Sequence, residues 1–481
     1  MATSPLLDLD AALREEPAPQ LEVVPQLEPA PQLELAAPME SVESSPQPGE
    51  DSGLEIENIT PPVPETLDET GLPGSMLEQL ILKLLYTRGD LVGRDLSKAL
   101  GLKFSLIEEF IDFLKRQHLI LAKTSMGMGD STTLFALTEA GRNLARDGME
   151  NSQYTGPAPV PLYQYNYIVR RQRRKDGWLT QEALAHAYRK MVMTPQLLAK
   201  IGPAVSSGNS FLIYGQPGNG KTFLAEALGN LDDSPIYVPY AIECQGAVIQ
   251  VFDPVYHQPI EDPAGQCVFA VDEPYDRRWV KCRRPFIVTG GELTLDMLDL
   301  KYNSTSKIYD APYQVKANNG IYLIDDFGRQ LCSPAEVLNR WIVPMERRVD
   351  YLRFQSGGKM TVPFEAFLVF STNLKPEQLG DEAFLRRIQY KMLLRSLDER
   401  EFTSIFLQFC ESRNLACDAA IVARFIERHY QRDAKPFRRC HPRDVLSHAI
   451  DLIHFEKLPN ELNDDLLDRA FESCFLEEDG D

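Results

Sequence analysis

The stretch from Phe211 to Thr222, FLIYGQPGNGKT, limits the possible folds of this chain more than any other. An apolar run, Phe211 to Tyr214, feeds G-x-x-x-x-G-K-T at Gly215 to Thr222, and a helix-forming stretch, FLAEALGNL, follows from Phe223. Strand, glycine-rich loop and helix in that order are what a phosphate-binding loop requires. Gly215, Gly218 and Gly220 permit a tight turn whose N–H groups point inward, and the positive end of the following helix completes an anion cradle. Gly215, Gln216, Pro217, Gly218, Asn219, Gly220, Lys221, Thr222 and Phe223 are therefore the expected nucleotide-binding segment. Lys221 is expected to reach the β- and γ-phosphates, and the Thr222 hydroxyl to ligate Mg²⁺.

A second apolar run, Ile321 to Ile324, ends in Asp325 and Asp326. A parallel strand beside the first would deliver its terminal carboxylate to the metal's water shell, with Asp325 holding Mg²⁺ and Asp326 orienting or deprotonating the attacking water. Between Lys221 and Asp325 lie more residues than a minimal core needs, so extra elements must intervene. One is GGELTLDMLDLKYN, residues 290–303, read either as an inserted helix bearing a substrate-contacting loop or as a plain crossover helix. A third apolar run, FLVFSTN, ends at Asn373, which would hold the nucleophilic water. Arg386 and Arg387 follow, suited to a neighbouring subunit's γ-phosphate or to a surface salt bridge. Beyond about Ser396 only helices are expected. One begins at His441 to Asp444, with Pro442 near its first position, so Arg443 stands at a helix N-terminus. A cation is disfavoured there unless an anion compensates, and the expected anion is the nucleotide phosphate.

Charge divides the chain unevenly. Of a net charge of −20 over 481 residues, most lies in residues 1–70, which hold sixteen acidic residues and one basic, Arg14. That stretch is rich in Pro, Glu, Gln and Ser, repeats PQLE at Pro19, Pro25 and Pro31, and reads as a disordered tail. Residues 71–150 read as three helices, SMLEQLILKLLYTRG, VGRDLSKALGL and FSLIEEFIDFLKRQ, then LILAKTS and TLFALT as a two-stranded ribbon, and a closing helix. This is the pattern of a winged helix-turn-helix, a domain type that usually binds DNA. The helix after the turn, beginning near Phe104, carries Glu108, Glu109 and Asp112, a poor match for phosphates, so protein docking is the expected role and DNA the alternative. GPAPVP, residues 156–161, reads as a stiff linker, and Arg170, Arg171, Arg173, Arg174 and Lys175 form a basic cluster suited to nucleic acid, nucleotide, the acidic tail or plain solvent. Eight cysteines without C-x-x-C pairs read as free thiols. With no signal peptide and no apolar run of membrane length, a cytoplasmic protein without membrane insertion is expected.

Taken in order, these motifs make residues 165–478 resemble the AAA+ ATPases. The resemblance implies an α/β P-loop NTPase core over 178–394 with an all-α lid over 395–481. A linker over 151–177, a winged helix-turn-helix over 71–150 and the disordered tail over 1–70 precede them. Family roles carry over as Walker A at Gly215 to Thr222, Walker B at Asp325 and Asp326, and sensor 1 at Asn373. Arg386 or Arg387 would be the arginine finger and Arg443 sensor 2. Residues 348–354 and 359–364, flanking Ser356–Gly358, look like the hairpin that precedes sensor 1 in the branch containing the MoxR-like chaperone ATPases. The family's usual second Walker B acid is Glu, and this chain has Asp326, one methylene shorter. The implied activity is Mg²⁺-dependent ATP hydrolysis by a remodelling or chaperone-like homo-oligomer, a hexameric ring, with the winged helix and tail recruiting a protein client. The alternatives are an ATP-switched DNA-binding regulator and a nucleotide-gated scaffold that hydrolyses little.

Overall fold

The computed structural model describes residues 59–475 apart from 126–128, 176, 190, 261–274, 381 and 433. The tail up to residue 58, the centre of the loop between the two ribbon strands, and Cys267 lie outside the described residues. The seven described cysteines are free thiols.

The three apolar runs become strands of one parallel sheet. Its members are β1 (Ser210–Tyr214), β2 (Phe286–Thr289), β3 (Ile321–Ile324), β4 (Phe367–Thr372) and β5 (Tyr390–Leu393), in the order β2-β3-β4-β1-β5. Every residue of β3 and β4 is buried, as a parallel sheet covered on both faces demands. One face is covered by helices Pro195–Ser207 and Lys221–Ala227 through Ile201, Val205 and Leu224. The other is covered by helix Pro334–Arg347, whose Val337, Leu338 and Trp341 are all 0% exposed. A capping box fixes where that helix starts, with Ser333 and Glu336 satisfying each other's backbone N–H groups. Trp178 to Val205, which lead into β1, hold two helices, Gln181–Ala187 and Pro195–Ser207. Thr194 caps the second and Pro195 opens it, because proline at a first helical position gives up no hydrogen bond.

The long interval between β1 and β3 is filled mainly by short strands. Val160–Pro161, Ala241–Cys244, Ala247–Gln250, Ile308–Asp310 and Lys301–Asn303 form a second sheet, and Ile236–Pro239 pairs with Trp279–Cys282. Residues 290–303 accordingly carry a short 3₁₀ turn, Leu295–Leu298, and an edge strand in place of the expected helix. Residues 151–177 also differ from a bare linker. Val160–Pro161 pairs in parallel with Ala241–Cys244, and helix Leu162–Arg171 buries Tyr165, Ile168 and Val169 in the core of the second sheet. Much of the basic cluster is engaged there: Arg174 pairs with Asp232 at 2.8 Å and lies 4.4 Å from the Trp178 ring, while Arg173 stands 3.8 Å from Glu365. The hairpin Val349–Arg353/Lys359–Pro363 turns Leu352, Met360 and Val362 into the same core and leaves Tyr351, Arg353, Lys359 and Thr361 exposed.

Helices Gly74–Arg88, Gly93–Leu100 and Phe104–Arg116 pack with a three-stranded sheet in the order Leu91–Val92, Thr133–Leu137, Ile120–Ser125, and helix Glu139–Asn151 closes the unit. This unit seats directly on the second sheet, sharing a core with Ala241 and Val248. At Gly101, ahead of helix Phe104–Arg116, a Cβ would stand 2.9 Å from the Arg277 backbone. Residues 59–70, assigned by composition to the tail, carry a short helix, Leu67–Thr70, and hold Thr70 at 0% exposure. The anchor is the buried pair Asp276–Arg278, 2.9 Å apart. Asp276 donates its N–H to the Pro61 carbonyl, and Arg278 donates to the carbonyls of Thr70 and Pro159 and to Gln164 Oε1.

At the other end, helices Glu399–Ser412, Ala419–Ile426, Cys440–Glu456 and Asp464–Cys474 enclose Phe402, Phe406, Phe425, Tyr430 and Phe471. Asp398 and Glu401 form a capping box at the start of the first. Among the described residues no helix is long and apolar enough to cross a membrane.

Candidate nucleotide site

Register brings the site together. Thr372 of β4 lies opposite Tyr214 of β1, and Ile324 of β3 opposite Phe370 of β4, so the three strands end side by side. The residues that follow them, Gly215, Asp325 and Asn373, open on one crevice at the carboxyl edge of the sheet, where ligands of open α/β sheets bind. A cleft of about 450 Å³ occupies that edge. Pro217, Gly218, Gly220, Lys221, Thr222, Phe223, Asp325, Asp326 and Asn373 line it from the core, and Ile405, Gln408, Arg439, Cys440 and Arg443 line it from the C-terminal helices.

The loop needs its glycines. Gly215 has φ +151°, and a Cβ there would meet the Leu394 carbonyl at 2.4 Å; Gly218 has φ +79°, and its Cβ would meet Cys440 Sγ at 2.7 Å. The loop is therefore pressed against the helical array, and the Cys440 N–H donates to the Gly218 carbonyl at 2.9 Å. Asn219 is 1% exposed and donates to the Leu394 carbonyl, while its own Oδ1 has no partner among the described residues. Gln216 contributes its carbonyl, which accepts from Lys221 Nζ.

Five residues form a connected polar chain across the cleft floor. Lys221 Nζ donates to Asn373 Oδ1 at 2.6 Å and to the carbonyls of Gly215 and Gln216 at 3.0 and 3.1 Å. Asn373 Nδ2 donates to Asp326 Oδ1 at 3.0 Å, and the Asp326 N–H donates to Asp325 Oδ1 at 3.0 Å. Thr222 Oγ1 donates to Asp325 Oδ2 at 2.9 Å. Burial pulls the Lys221 ammonium below its ordinary range, while Asp326 and Asp325 oppose that shift. A charged donor satisfied by carbonyls alone in a desolvated floor is ready to exchange them for anionic oxygens.

The Thr222 hydroxyl and Asp325 carboxylate suit a hard cation. Both offer oxygen, and Mg²⁺ takes one or two such protein ligands together with waters and phosphate oxygens. Among the described residues no group of three or more His, Cys, Asp or Glu side chains is arranged to hold a metal by itself. The donor set therefore fits an ion that arrives with a nucleotide.

The arginines are distributed differently from the sequence reading. Arg443 lines the cleft, but its side chain is 67% exposed and pairs with Asp444 at 3.0 Å. The anion that offsets its position at a helix N-terminus is that neighbouring carboxylate. The inner position belongs to Arg439, which donates Nη1 to the Val192 carbonyl at 2.8 Å, while its buried Nε has no partner among the described residues. Its side chain approaches Gly220, where a Cβ would lie 3.3 Å from Arg439 Cδ. Arg386 and Arg387 do not line this chain's cleft; Arg386 is exposed, and Arg387 Nε donates to Glu346 at 2.8 Å.

Sequence reasoning also missed Gln330. Its amide nitrogen donates to the carbonyls of Asp325 and Asp326 at 2.9 and 3.3 Å, and its Oε1 accepts from the Gly328 N–H at 2.7 Å. The signal available was its spacing, five residues after Asp325 and two after Gly328. For Arg439 it was adjacency to a helix start already located.

A family profile described as a domain of unknown function (DUF8689) matches residues 398–473, the C-terminal helices. Among curated proteins the sequence has no match. Among solved structures the chain is similar to NtrX from Brucella abortus, at 13% identity and a TM-score of 0.37, over 60% of this chain and 56% of NtrX. The same protein in complex with ATP overlays at 13% identity and a TM-score of 0.35, over 63% of this chain and 58% of that one. RuvB from Thermotoga maritima, described as a Holliday junction branch migration motor, overlays at 16% identity and a TM-score of 0.32, over 63% of this chain and 72% of RuvB. The chain thus spans little more than half the length of NtrX.

Proposed function

We propose that this chain is an AAA+ ATPase that binds Mg²⁺–ATP in the cleft and hydrolyses it, working as a homo-oligomer that remodels a protein client. The observation that carries this reading is the unbroken polar chain from Thr222 through Asp325, Asp326 and Asn373 to Lys221, lying at the ends of three adjacent strands under arginines of a helical lid. The strand order, with β4 between the P-loop strand and the Asp325 strand, supports the same reading.

The residues divide the work as follows. Lys221 releases the Gly215 and Gln216 carbonyls to meet the β- and γ-phosphates, and the loop N–H groups hold the phosphate chain. Thr222 and Asp325 hold Mg²⁺, which when bound neutralises phosphate charge. Asn373 orients the attacking water, and Asp326 accepts its proton as the water oxygen bonds to the γ-phosphorus and the bond to the ADP oxygen breaks. Arg439 reaches the phosphates from the lid. Arg386 or Arg387, outside this chain's own cleft, acts on a neighbouring subunit's nucleotide, which makes the ring a requirement of catalysis. The N-terminal unit carries acidic Glu108, Glu109 and Asp112 on its exposed face and recruits protein in preference to DNA.

Turnover measured against protein concentration, with and without Mg²⁺, together with solution mass under ATP, tests the reading. Specific activity that rises with concentration alongside an ATP-dependent ring is expected, and Lys221→Ala should fold but not turn over. Wild-type turnover in Lys221→Ala refutes the site. A ring with background turnover in the wild type refutes hydrolysis and leaves a nucleotide-gated scaffold.

A further inference from the structure

We propose that Gln330 is the positioning residue that makes the short Asp326 side chain serviceable, by holding the backbone at Asp326 in the left-handed region. The inference rests on the ATPase reading given above. Asp326 has φ +47°, a conformation that L residues with a side chain seldom adopt, although Asp tolerates it better than most. It occurs at the residue whose carboxylate must meet the attacking water.

The turn around it is tied from both sides. The Asp325 N–H donates to the Thr289 carbonyl of β2, and the Phe327 N–H donates to the Ser371 carbonyl of β4, so the residues on either side of Asp326 are anchored to neighbouring strands. The Phe327 carbonyl accepts from Thr372 Oγ1 at 2.6 Å. Asp326 is the joint between two fixed points, and Gln330 spans that joint. Its amide nitrogen reaches the carbonyls on both sides of the Asp326 Cα, with a longer bond of 3.4 Å to the Gly290 carbonyl, while its oxygen takes the Gly328 N–H. One side chain satisfies the turn from inside and links it to the end of β2.

The consequence is directional. A left-handed φ swings the Cα–Cβ bond to a different side of the chain from the one an extended residue would use. Here that swing aims Asp326 Oδ1 at Asn373 Nδ2, 3.0 Å away, on the cleft side where Lys221 and Thr222 converge. A glutamate could reach this point from a relaxed backbone through its extra methylene. An aspartate reaches it because the backbone is turned.

Steady-state kinetics and binding of a fluorescent ADP analogue to the full-length protein test this, using Gln330→Ala, Gln330→Glu, Asp326→Glu and the double variant Q330A/D326E. Gln330→Ala is expected to lower kcat about a hundredfold, the usual cost of misplacing a catalytic group by an ångström. ADP affinity should stay within about twofold and the thermal midpoint should be retained. Gln330→Glu keeps the size, loses both donors, and should fall in the same way. Asp326→Glu should lower turnover in the wild-type background and raise it in the Gln330→Ala background, where the relaxed turn suits a longer side chain. Wild-type kcat in Gln330→Ala overturns the inference. Equal losses of kcat and ADP affinity, or the same penalty from Asp326→Glu in both backgrounds, also overturn it, since either would mean a purely structural role. Failure of the inference is separable from failure of the ATPase reading. If Lys221→Ala and Asp326→Asn lose turnover while Gln330→Ala keeps it, Gln330 alone is misassigned; if all three keep it, the site itself is wrong; no turnover in the wild type overturns both.

Discussion

Replacing Arg439 and Arg443 one at a time by Met separates the proposed phosphate-reaching arginine of the C-terminal helices from the one suggested by sequence. Arg439 is half-buried beside the glycine-rich loop with an Nε unpartnered among the described residues, and burial depresses its pKa without threatening its charge at neutral pH. One charge-assisted hydrogen bond to a phosphate is worth about 1.5–3 kcal/mol, or roughly a ten- to hundredfold change in nucleotide Kd. Thermal melting with and without ADP gives the readout. At a ligand concentration 100 times Kd the wild type gains about 2.7 kcal/mol, and a hundredfold weaker variant at the same concentration gains only about 0.4 kcal/mol. Without nucleotide, Arg439→Met removes a buried cation and frees the Val192 carbonyl, opposing terms that leave the melting point nearly unchanged. Arg443→Met removes an exposed side chain already paired with Asp444 and should keep nearly all of the nucleotide-induced gain. The reverse pattern, with the gain lost in Arg443→Met and kept in Arg439→Met, would refute the assignment.

Three further outcomes are expected. His441, buried and hydrogen-bonded to Tyr430, has its pKa pushed down from 6.5 to about 4 by burial and then by Arg438 and Lys435, with Asp444 opposing. Between those values the unfolded chain takes up a proton that the folded C-terminal helices refuse. Stability should therefore fall as pH drops from 6.5 to 4, by up to roughly 3 kcal/mol, and level off below; urea titrations across that range should show the slope, and His441→Phe should flatten it. Lys83, buried with Nζ on the Ser152 carbonyl, is pushed by burial from 10.5 down to about 8, so the unfolded chain holds the extra proton between those values. Stability should rise across that window in the wild type and stay flat in Lys83→Met. Trp341→Ala removes a 0% exposed ring packed on Tyr322, Phe364 and Phe370 and should cost roughly 3–5 kcal/mol in chemical denaturation.

Much of the floor of the site is legible in the sequence because each part is a local pattern. A short apolar run ending in a reactive residue is a complete signal at Gly215, at Asp325 and at Asn373, and the parallel sheet needs only to set them side by side. The second sheet is less legible, since its strands are two to four residues long and Val160–Pro161 finds its partner about eighty residues away at Ala241–Cys244. Residues 290–303 misled because their leucines follow a roughly helical spacing. Leu293 and Leu298 are buried by the surrounding core all the same, and the backbone between them closes as a single 3₁₀ turn. Arg439 and Arg443 show the limit at finer scale: sequence locates the helix start to within a residue, but which arginine turns inward is decided by the loop across the cleft.

The Asp276–Arg278 pair also bears on how the chain must be made. Thr70 and Pro61 wait for a partner about two hundred residues further along, the Thr70 bond alone spanning 208 positions. At ribosomal speeds of about 5–20 residues per second, the N-terminal unit emerges roughly 10–40 seconds before the residues that complete its seat. During that time the surface destined for Ala241 and Val248 faces solvent or a holdase. Slowing synthesis between residues 160 and 280 should therefore lengthen the period of greatest aggregation risk, whereas slowing it after residue 300 should not.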